Sequence, residues 1–231
     1  MRLSKRLAEQ ISCSRREAEI YIEGGFVTVD GKVIEEPQFR VGEQVIALSP
    51  DAVLTGVEAV TLLVHQVRVD SVLAPAIIGP ENHDDDDLSG IPLLKRHFAH
   101  QQSVLPLEEN AVGLVVMTQD WRVQRKLVDN AATVEQEYVV DVTGDLSGVD
   151  LKALDRRISM NGRELPQAKV SMQNETRLRI AVKGPRPGQI AFLCGHAGLN
   201  AVAIKRIRIG RIAMGKLPAG QWRYLPADEK F

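Results

Sequence analysis

The sequence predicts an α+β protein with two unequal units, and three observations support this. Strand-like and helix-like segments interleave, several of them as hairpin neighbours, which favours a mainly antiparallel mixed sheet. Residues 50–59 have no sustained period and contain Pro and Gly, as a connection does. The 231 residues, 44% hydrophobic and 26% charged, suffice for one good core or two unequal ones. We therefore expect a small unit over 1–49, a linker over 50–59 and a larger unit over 60–231.

Composition excludes several classes of protein. The apolar fraction is too high for a disordered chain, and no apolar run approaches the roughly 20 residues of a membrane helix. The first ten residues lack the apolar stretch of a secretory signal, so we expect a cytoplasmic protein. Cys13 and Cys194 are too few for a disulfide framework or a zinc site. The five histidines have no metal-ligand spacing, so we expect no metal site.

The formal net charge of −1 conceals a strong segregation of charge. Residues 176–227 contain no Asp or Glu, yet they contain Arg186, Lys205, Arg206 and Arg208 among other cations. We expect these four residues to contribute to a cationic face for phosphates. Acidic residues cluster instead at Glu81 and Asp84–Asp87, where their mutual repulsion favours a solvated loop.

The N-terminal residues predict a helix followed by a hairpin. Ser14 and Glu17 have the spacing of a capping box, and Gly24-Gly25 ends the predicted helix. Asp30-Gly31 between two β-rich segments predicts a type I′ turn. Arg15 and Arg16 oppose the dipole of the helix they begin, which indicates a role outside helix stability. Such cations can reach a phosphate at the exposed start of a helix.

Residues 2–48 resemble the S4 RNA-binding domain. The matching segments are Arg2-Leu3-Ser4-Lys5, Ser14-Arg15-Arg16-Glu17-Ala18, Ile22, Gly24 and Val27-Thr28-Val29-Asp30-Gly31. The resemblance implies a small αL-type domain whose two helices and hairpin edge contact structured RNA. The implied contacts are Lys5, Arg6, Arg15, Arg16 and Lys32.

The larger unit alternates strands and helices. Strands are predicted from Val60 to Val69 and over 113–117, 136–142, 177–182 and 202–209, with strand-like character around 157–165. Helices are predicted over 91–98, after an Asp120 cap, over 149–158 and over 189–196. Trp121 and Trp222 are expected to pack in the core or at an edge, whereas Tyr138 suits core packing and RNA stacking equally.

The order of these segments resembles the bacterial rRNA pseudouridine synthases that carry an S4 domain. The matching segments are Ala203–Gly210, Gly215–Leu225, Glu137–Val140 and Gly113–Asp120. The family detaches a uracil from its ribose and rejoins it through carbon, after extracting the nucleotide from its stack. The resemblance implies an aspartate carboxylate, an arginine two positions earlier and a tyrosine at the base, here Tyr138, with no metal or cofactor.

The sequence departs from that family at the chemical positions. Counting back from Gly113 puts Glu108 at the aspartate position, Pro106 at the arginine position and Ala111 at the serine position. Glutamate moves the carboxylate by one methylene, and a misplacement of about 1 Å can lower a rate roughly 100-fold. Proline cannot supply the charge that keeps an acid ionised. The helix that is arginine-rich in the family here contains Ala191 and Phe192.

Three hypotheses follow from these residues. The first is an RNA-binding protein with lost or impaired isomerase activity, monomeric, whose partner is ribosomal RNA, the ribosome or an assembly intermediate. The second is an active, divergent pseudouridine synthase that uses Glu108. The third is a protein-interaction module on an inherited fold, which the fold alone does not exclude.

Overall fold

The computed structural model describes residues 1–69, 72–73, 78–108, 110–146 and 148–231. Two compact units are present. The first comprises Met1–Ala59 together with Ile91–Gln101, and the second comprises Val60–Gly90 and Gln102–Phe231. A nine-stranded mixed sheet, mainly antiparallel, dominates the second unit. The predicted α+β class is confirmed.

The first unit packs two helices against a three-stranded antiparallel sheet. Its elements are α1 (Leu3–Ile11), α2 (Arg15–Glu23), β1 (Val27–Val29), β2 (Lys32–Val33) and β3 (Ile46–Leu48), with sheet order β2-β1-β3. The predicted capping box is confirmed, since Ser14 Oγ accepts from the Glu17 N–H and Glu17 accepts from the Ser14 N–H. Asp30 and Gly31 have positive φ angles, as a type I′ turn requires.

The segment Ile91–Gln101 clusters with this first unit. Lys95 and Arg96 form ion pairs with Glu36 and Glu23, and the Lys95 N–H donates to Glu35 at 2.7 Å. The predicted helix over 91–98 is wrong, because only a 3₁₀ turn over Lys95–Phe98 forms. Pro92 restricts its predecessor to extended conformations, and Leu94 is itself extended.

The second unit contains the remaining elements. They are β4 (Thr61–Gln66), β5 (Arg68–Val69), β6 (Val72–Leu73), β7 (Gln102–Val104), β8 (Ala111–Thr118), α3 (Trp121–Asp129), β9 (Glu135–Thr143), α4 (Leu151–Leu154), β10 (Ser159–Met160), β11 (Arg163–Glu164), β12 (Ala168–Asn174), β13 (Arg177–Lys183), α5 (Gln189–His196), β14 (Asn200–Ile209), β15 (Ile212–Ala213) and β16 (Trp222–Tyr224). The predicted helix over 149–158 shrinks to one turn, and the side chain of Gln167 donates to the Asp155 carbonyl directly after it.

The large sheet has the strand order β12-β13-β9-β14-β8-β4-β16. β8 and β14 pair in parallel, whereas the other neighbours in this order pair antiparallel. β7 pairs with β8 at Val116–Thr118, beyond the stretch that pairs with β14. The chain after β7 therefore passes close to the point where β14 leaves β8.

Two buried clusters support this sheet. One joins the inner residues of β9, β12, β13 and β14 to α4 and α5, and includes Tyr138, Ile180 and Leu193. The other joins β4, β7, β8 and α3, and includes Leu63, Leu114 and Leu127. Both lie within the second unit.

The acidic run differs from the solvated loop that the sequence predicts. Asp84 is buried, and Asp87 accepts hydrogen bonds from the Tyr224 N–H at 2.8 Å and the Ser89 N–H at 2.9 Å. Burial alone would raise the pKa of Asp87, but these bonds and one with His83 lower it. Glu81, Asp85 and Asp86 are exposed as expected. The acidic run therefore attaches β16 to the loop that contains Asp84 and Asp87, which precedes the segment Ile91–Gln101.

The two tryptophans have different environments. Trp222 is completely buried, as predicted, and its indole N–H donates to the Gly79 carbonyl at 2.9 Å. Trp121 is 62% exposed at the start of α3, which contradicts the expectation that it packs in the core or at an edge.

We predict that Gly113→Ala destabilises the protein. Gly113 has φ +106°, and a Cβ there would lie 2.3 Å from the Arg206 carbonyl oxygen across the parallel pair. The strained backbone and the clash should lower the free energy of unfolding by about 2 kcal/mol or more, as measured by urea denaturation. Gly195→Ala in α5 is the control, because its Cβ meets nothing within 4 Å. That change should be neutral or stabilising by up to about 1 kcal/mol. Equal losses from the two changes would contradict the prediction.

Candidate functional site

A buried arginine forms the centre of the site. Arg206 on β14 is 1% exposed, and its guanidinium binds acceptors from three separate segments. It donates to the Leu114 carbonyl at 2.9 Å, the Leu105 carbonyl at 2.6 Å and the Pro106 carbonyl at 3.4 Å. A fourth bond reaches Gln136 Oε1 at 2.9 Å. Arg206 was predicted to contact RNA, but its guanidinium is enclosed by protein acceptors and has no access to a phosphate.

Sheet register explains why this arginine is buried. Arg206 lies opposite Tyr138 of β9 on one side and opposite Gly113 of β8 on the other. The register between β14 and β9 shifts between Arg206 and Arg208. Residues two apart in a regular strand lie on the same face. Because a register shift of one residue exchanges the faces, Arg206 and Arg208 lie in different surroundings.

Tyr138 is enclosed by the same network. Its side chain is 2% exposed, and its hydroxyl donates to Gln136 Oε1 at 2.9 Å. Gln136 Oε1 therefore accepts from both Tyr138 and Arg206. Burial raises the pKa of the Tyr138 phenol. Of the two alternatives for Tyr138, the structure places it in the core rather than on an open face.

Glu108 lies beside this network, half-buried. Its Oε2 accepts from the Gly188 N–H at 3.0 Å, just before α5. Burial raises the pKa of Glu108, and the Gly188 N–H and the charge of Arg206 oppose that rise. The carboxyl, the phenol and the guanidinium thus influence one another electrostatically. Pro106 contributes only its carbonyl, as an acceptor for Arg206.

The start of α5 is uncharged on the side that faces the core. Gln189 is completely buried, and it accepts from the Arg186 N–H and donates to the Pro166 carbonyl. Ala191 and Phe192 pack against the hydrophobic cluster. The positions at which the resemblance expects arginine therefore contribute apolar contacts.

The predicted RNA contacts of the first unit are exposed. Arg16 and Lys32 have no ion-pair partner among the described residues, whereas Arg15 pairs with Glu19 at 3.2 Å and Lys5 with Glu9 at 4.0 Å. Arg6 is exposed on α1. The acids Glu23 and Glu36 are occupied by Arg96 and Lys95. The surface of this unit consequently retains cations that can meet phosphate.

The C-terminal cations are more compensated than their sequence indicates. Arg208 binds Glu135 and Glu137, each at 2.6 Å, Arg179 also binds Glu137, and Arg177 binds Asp141 at 2.6 Å. Burial would raise the pKa of Glu137, but the two arginines lower it. Acids from β9 therefore neutralise cations that lie far away in the sequence.

Lys205 and Arg186 are half-buried. Arg186 lines a groove with Met160, Asn161, Arg163 and Pro187. Four cations were predicted to bind phosphate in this part of the chain. Lys205 and Arg186 remain available to an anionic ligand, whereas Arg206 is enclosed and Arg208 is paired with two carboxylates.

The described residues contain no group of His, Cys, Asp and Glu arranged to hold a metal ion. His65 is buried and its Nδ1 lies 2.8 Å from the Leu217 carbonyl oxygen; burial lowers its pKa. Among the helices of the described part of the chain, none is long and apolar enough to cross a membrane.

Sequence reasoning missed the residues that hold the centre closed. Gln136 was predicted only as the first residue of a strand, and the carbonyls of Leu105 and Pro106 carry no signal in the sequence. A detectable signal was that Arg206 lies between the apolar residues Ile204 and Ile207 in β14.

The comparisons relate this chain to S4-domain proteins and to RNA pseudouridine synthases. The S4 domain family matches residues 1–45. The chain is 25% identical over 232 residues to an uncharacterized RNA pseudouridine synthase of Aquifex aeolicus, covering 99% of this chain and 94% of the relative.

Two further relatives extend the comparison. The dual-specificity RNA pseudouridine synthase RluF of Escherichia coli K12 is 25% identical, over 99% of this chain and 77% of that protein. The ribosomal large subunit pseudouridine synthase B of Yersinia pestis is 26% identical, over 97% and 72%. A crystal structure of a pseudouridylate synthase superposes with a TM-score of 0.57 at 17% identity, covering 97% of this chain and 96% of that one, which shows the shared fold. This chain is a homologue of the rRNA pseudouridine synthases of the RluF and RluB type.

We predict that Arg206→Met severely destabilises the fold. Removing the guanidinium leaves several buried acceptors without a donor, and each such group costs about 1–3 kcal/mol. The free energy of unfolding should therefore fall by about 3 kcal/mol or more in urea denaturation. Arg206→Lys should recover only part of this loss, because an ammonium cannot reproduce the planar fork.

Arg211→Met is the matched control, since Arg211 is exposed in the turn after β14. Its effect should stay within about 0.5 kcal/mol. A stable Arg206→Met protein that has lost only RNA affinity would contradict the structural role.

Proposed function

We propose that this protein binds ribosomal RNA, on the ribosome or on an assembly intermediate, and that its isomerase activity is lost or impaired. The observation that carries the proposal is the enclosure of Tyr138. In the resembling family the tyrosine packs against the target base. Here the side chain is 2% exposed and its hydroxyl is committed to Gln136.

The arrangement of charges supports the same conclusion. A nucleophilic or basic carboxylate must be ionised, and a nearby cation favours that form. The guanidinium of Arg206 instead donates its hydrogen bonds to three carbonyls and to Gln136. Burial raises the pKa of Glu108, which disfavours the ionised form. Neither Pro106 nor Ala191 supplies a second charge.

The S4 match and the exposed cations support RNA binding. Phosphate contacts supply most sequence-independent affinity for nucleic acid, and exposed Arg and Lys at a helix start and a hairpin edge suit them. Arg16 and Lys32 occupy those two places. The names of the relatives point to ribosomal RNA, which also favours a cytoplasmic location. We propose that the protein is a monomer and that its S4 unit contacts the RNA.

One observation favours the second hypothesis, an active enzyme that uses Glu108. Its carboxyl lies in the electrostatic field of Arg206 and influences the phenol of Tyr138. The three groups are thus neighbours, as a reaction centre would need. Activity from this centre would require it to open around Tyr138 when RNA binds.

We predict that RNA binding depends steeply on salt and on the S4 cations. Each phosphate contact adds about 0.7–0.9 to the slope of log affinity against log salt. Arg16→Gln with Lys32→Gln should weaken binding of in vitro transcribed ribosomal RNA fragments and reduce that slope by about 1.5. Fluorescence anisotropy over a salt series measures both quantities.

Lys152→Gln on α4 is the control, because it removes an exposed cation from the second unit. Its salt slope should match that of the unmodified protein. Weak binding that is indifferent to salt would contradict the proposal and favour the protein-interaction hypothesis.

We predict that the purified protein forms no pseudouridine. Unmodified ribosomal RNA transcripts would be incubated with excess protein in a single turnover, and carbon-linked uridines would be mapped along the RNA. The count should equal that of a protein-free reaction, while the E. coli relative RluF serves as a positive control. Product that disappears in Glu108→Gln, with RNA affinity unchanged, would establish the second hypothesis instead.

A further inference from the structure

The outward face of α3 combines an exposed aromatic ring with cations. Trp121 is 62% exposed, and Arg122, Arg125 and Lys126 are exposed with it. At 100° per residue these four side chains fall within one continuous arc of the helix. The opposite side is anchored by Leu127, which is fully buried, and by a bond from Gln124 to Gln102 of β7.

Helix stability does not account for the tryptophan or for the first arginine at these positions. Tryptophan is highly buried on average, and here most of its ring makes no packing contact. Arg122 lies in the first turn, where a cation opposes the helix dipole, and that turn contains no acid besides the Asp120 cap. A single exposed apolar residue is ordinary, but a ring flanked by cations is a recurring surface for nucleic acid.

The arrangement of the cations adds to this argument. The Arg122 guanidinium lies 5.6 Å from the centre of the Trp121 ring. Arg125 is paired with Asp129 at 3.5 Å, the one acid of α3. Arg122 and Lys126, one turn apart, have no ion-pair partner in the described part of the chain. The face therefore has two uncompensated positive charges beside an open π-surface.

This face is separate from the Glu108 centre. β8 connects the two, with Ala111 near Glu108 and Thr118 just before α3. The seven residue steps from Ala111 to Thr118, at about 3.3 Å each, separate the two places by roughly 23 Å. An RNA that reached both places would therefore contact α3 and the Glu108 centre through different nucleotides.

We propose that the outward face of α3 is a second RNA-binding site, which stacks an unpaired base on Trp121 and holds the adjoining phosphates with Arg122 and Lys126. The proposal rests on the RNA-binding function above and adds a surface of the larger unit to it. Stacking on an aromatic ring is tolerant of sequence, because every base has a π-face. The site should accordingly prefer single-stranded to fully paired RNA.

Tryptophan fluorescence provides a direct test. The chain has two tryptophans, and Trp222 is completely buried, so an RNA-dependent change reports on Trp121. A 12-nucleotide oligouridine should quench the emission of the full-length protein, and a perfect RNA duplex of that length should quench it less. Trp121→Phe should lose the signal and keep affinity within about 3-fold, since a ring remains.

Affinity measurements on matched variants complete the test. Trp121→Ala should weaken oligouridine binding roughly 5- to 150-fold, as loss of one stacked base does. Val128→Ala, on the same exposed face, is the control and should bind as the unmodified protein does. Arg122→Gln and Lys126→Gln should each lower the salt slope by about 0.7.

The outcomes separate this site from the general function. RNA that binds tightly but neither quenches Trp121 nor depends on it overturns the α3 site and leaves the proposed function standing; the face would then suit a protein partner. Failure of the unmodified protein to bind any ribosomal RNA fragment overturns the proposed function itself.

Discussion

The guanidinium of Arg206 is the interaction on which the centre of the larger unit depends. One planar group with a fixed set of donors connects the loop after β7, the strand β8 and the strand β9. Burial pulls the pKa of this arginine below its usual range, yet an arginine stays protonated in proteins. A buried charge of this kind is tolerated only when its donors are matched by acceptors, and here carbonyls and an amide supply them. Gly113 completes the arrangement by letting β8 approach the backbone of Arg206.

The same interaction links the architecture to the proposed loss of chemistry. Because Arg206 and Tyr138 share Gln136 Oε1, the phenol is held in the core rather than presented to a base. Glu108 lies beside this pair, and its bond to the Gly188 N–H ties it to the start of α5. Homology to the RluF and RluB relatives concerns the scaffold and the S4 unit. The two proposals assign RNA binding to the exposed cations of that unit and to the outward face of α3.

Local signals in the sequence predicted much of this structure. The capping box of α2, the Asp30-Gly31 turn and the Asp120 cap of α3 each depend on residues within four positions of one another, and all three are confirmed. Alternating apolar residues likewise located β8, β9 and β14. The strand β12 was missed because it is an edge strand with one exposed face, where the apolar alternation fades.

Features that depend on distant partners were beyond the sequence. Arg206 was interpreted as a phosphate contact because a charge alone does not reveal acceptors some 70–100 residues away. Asp87 was interpreted as solvated because its donor is the backbone of Tyr224. Glu135, Glu137 and Asp141 of β9 form ion pairs with arginines of the acid-free C-terminal stretch. These pairs neutralise much of its positive charge. The segment Ile91–Gln101 joined the first unit through ion pairs that no periodicity encodes.

On this account, Tyr138 stays enclosed in the core when RNA is bound. The most direct test is the chemical accessibility of Tyr138 in the presence of RNA. The protein would be nitrated with tetranitromethane, with and without bound ribosomal RNA, and each of its three tyrosines quantified by peptide mass spectrometry. Tyr21 is partly exposed and should react, whereas Tyr224 is fully buried and should not. The account predicts that Tyr138 behaves as Tyr224 does in both conditions. Nitration of Tyr138 that appears when RNA is added would mean that the centre opens on its ligand, and would contradict the account.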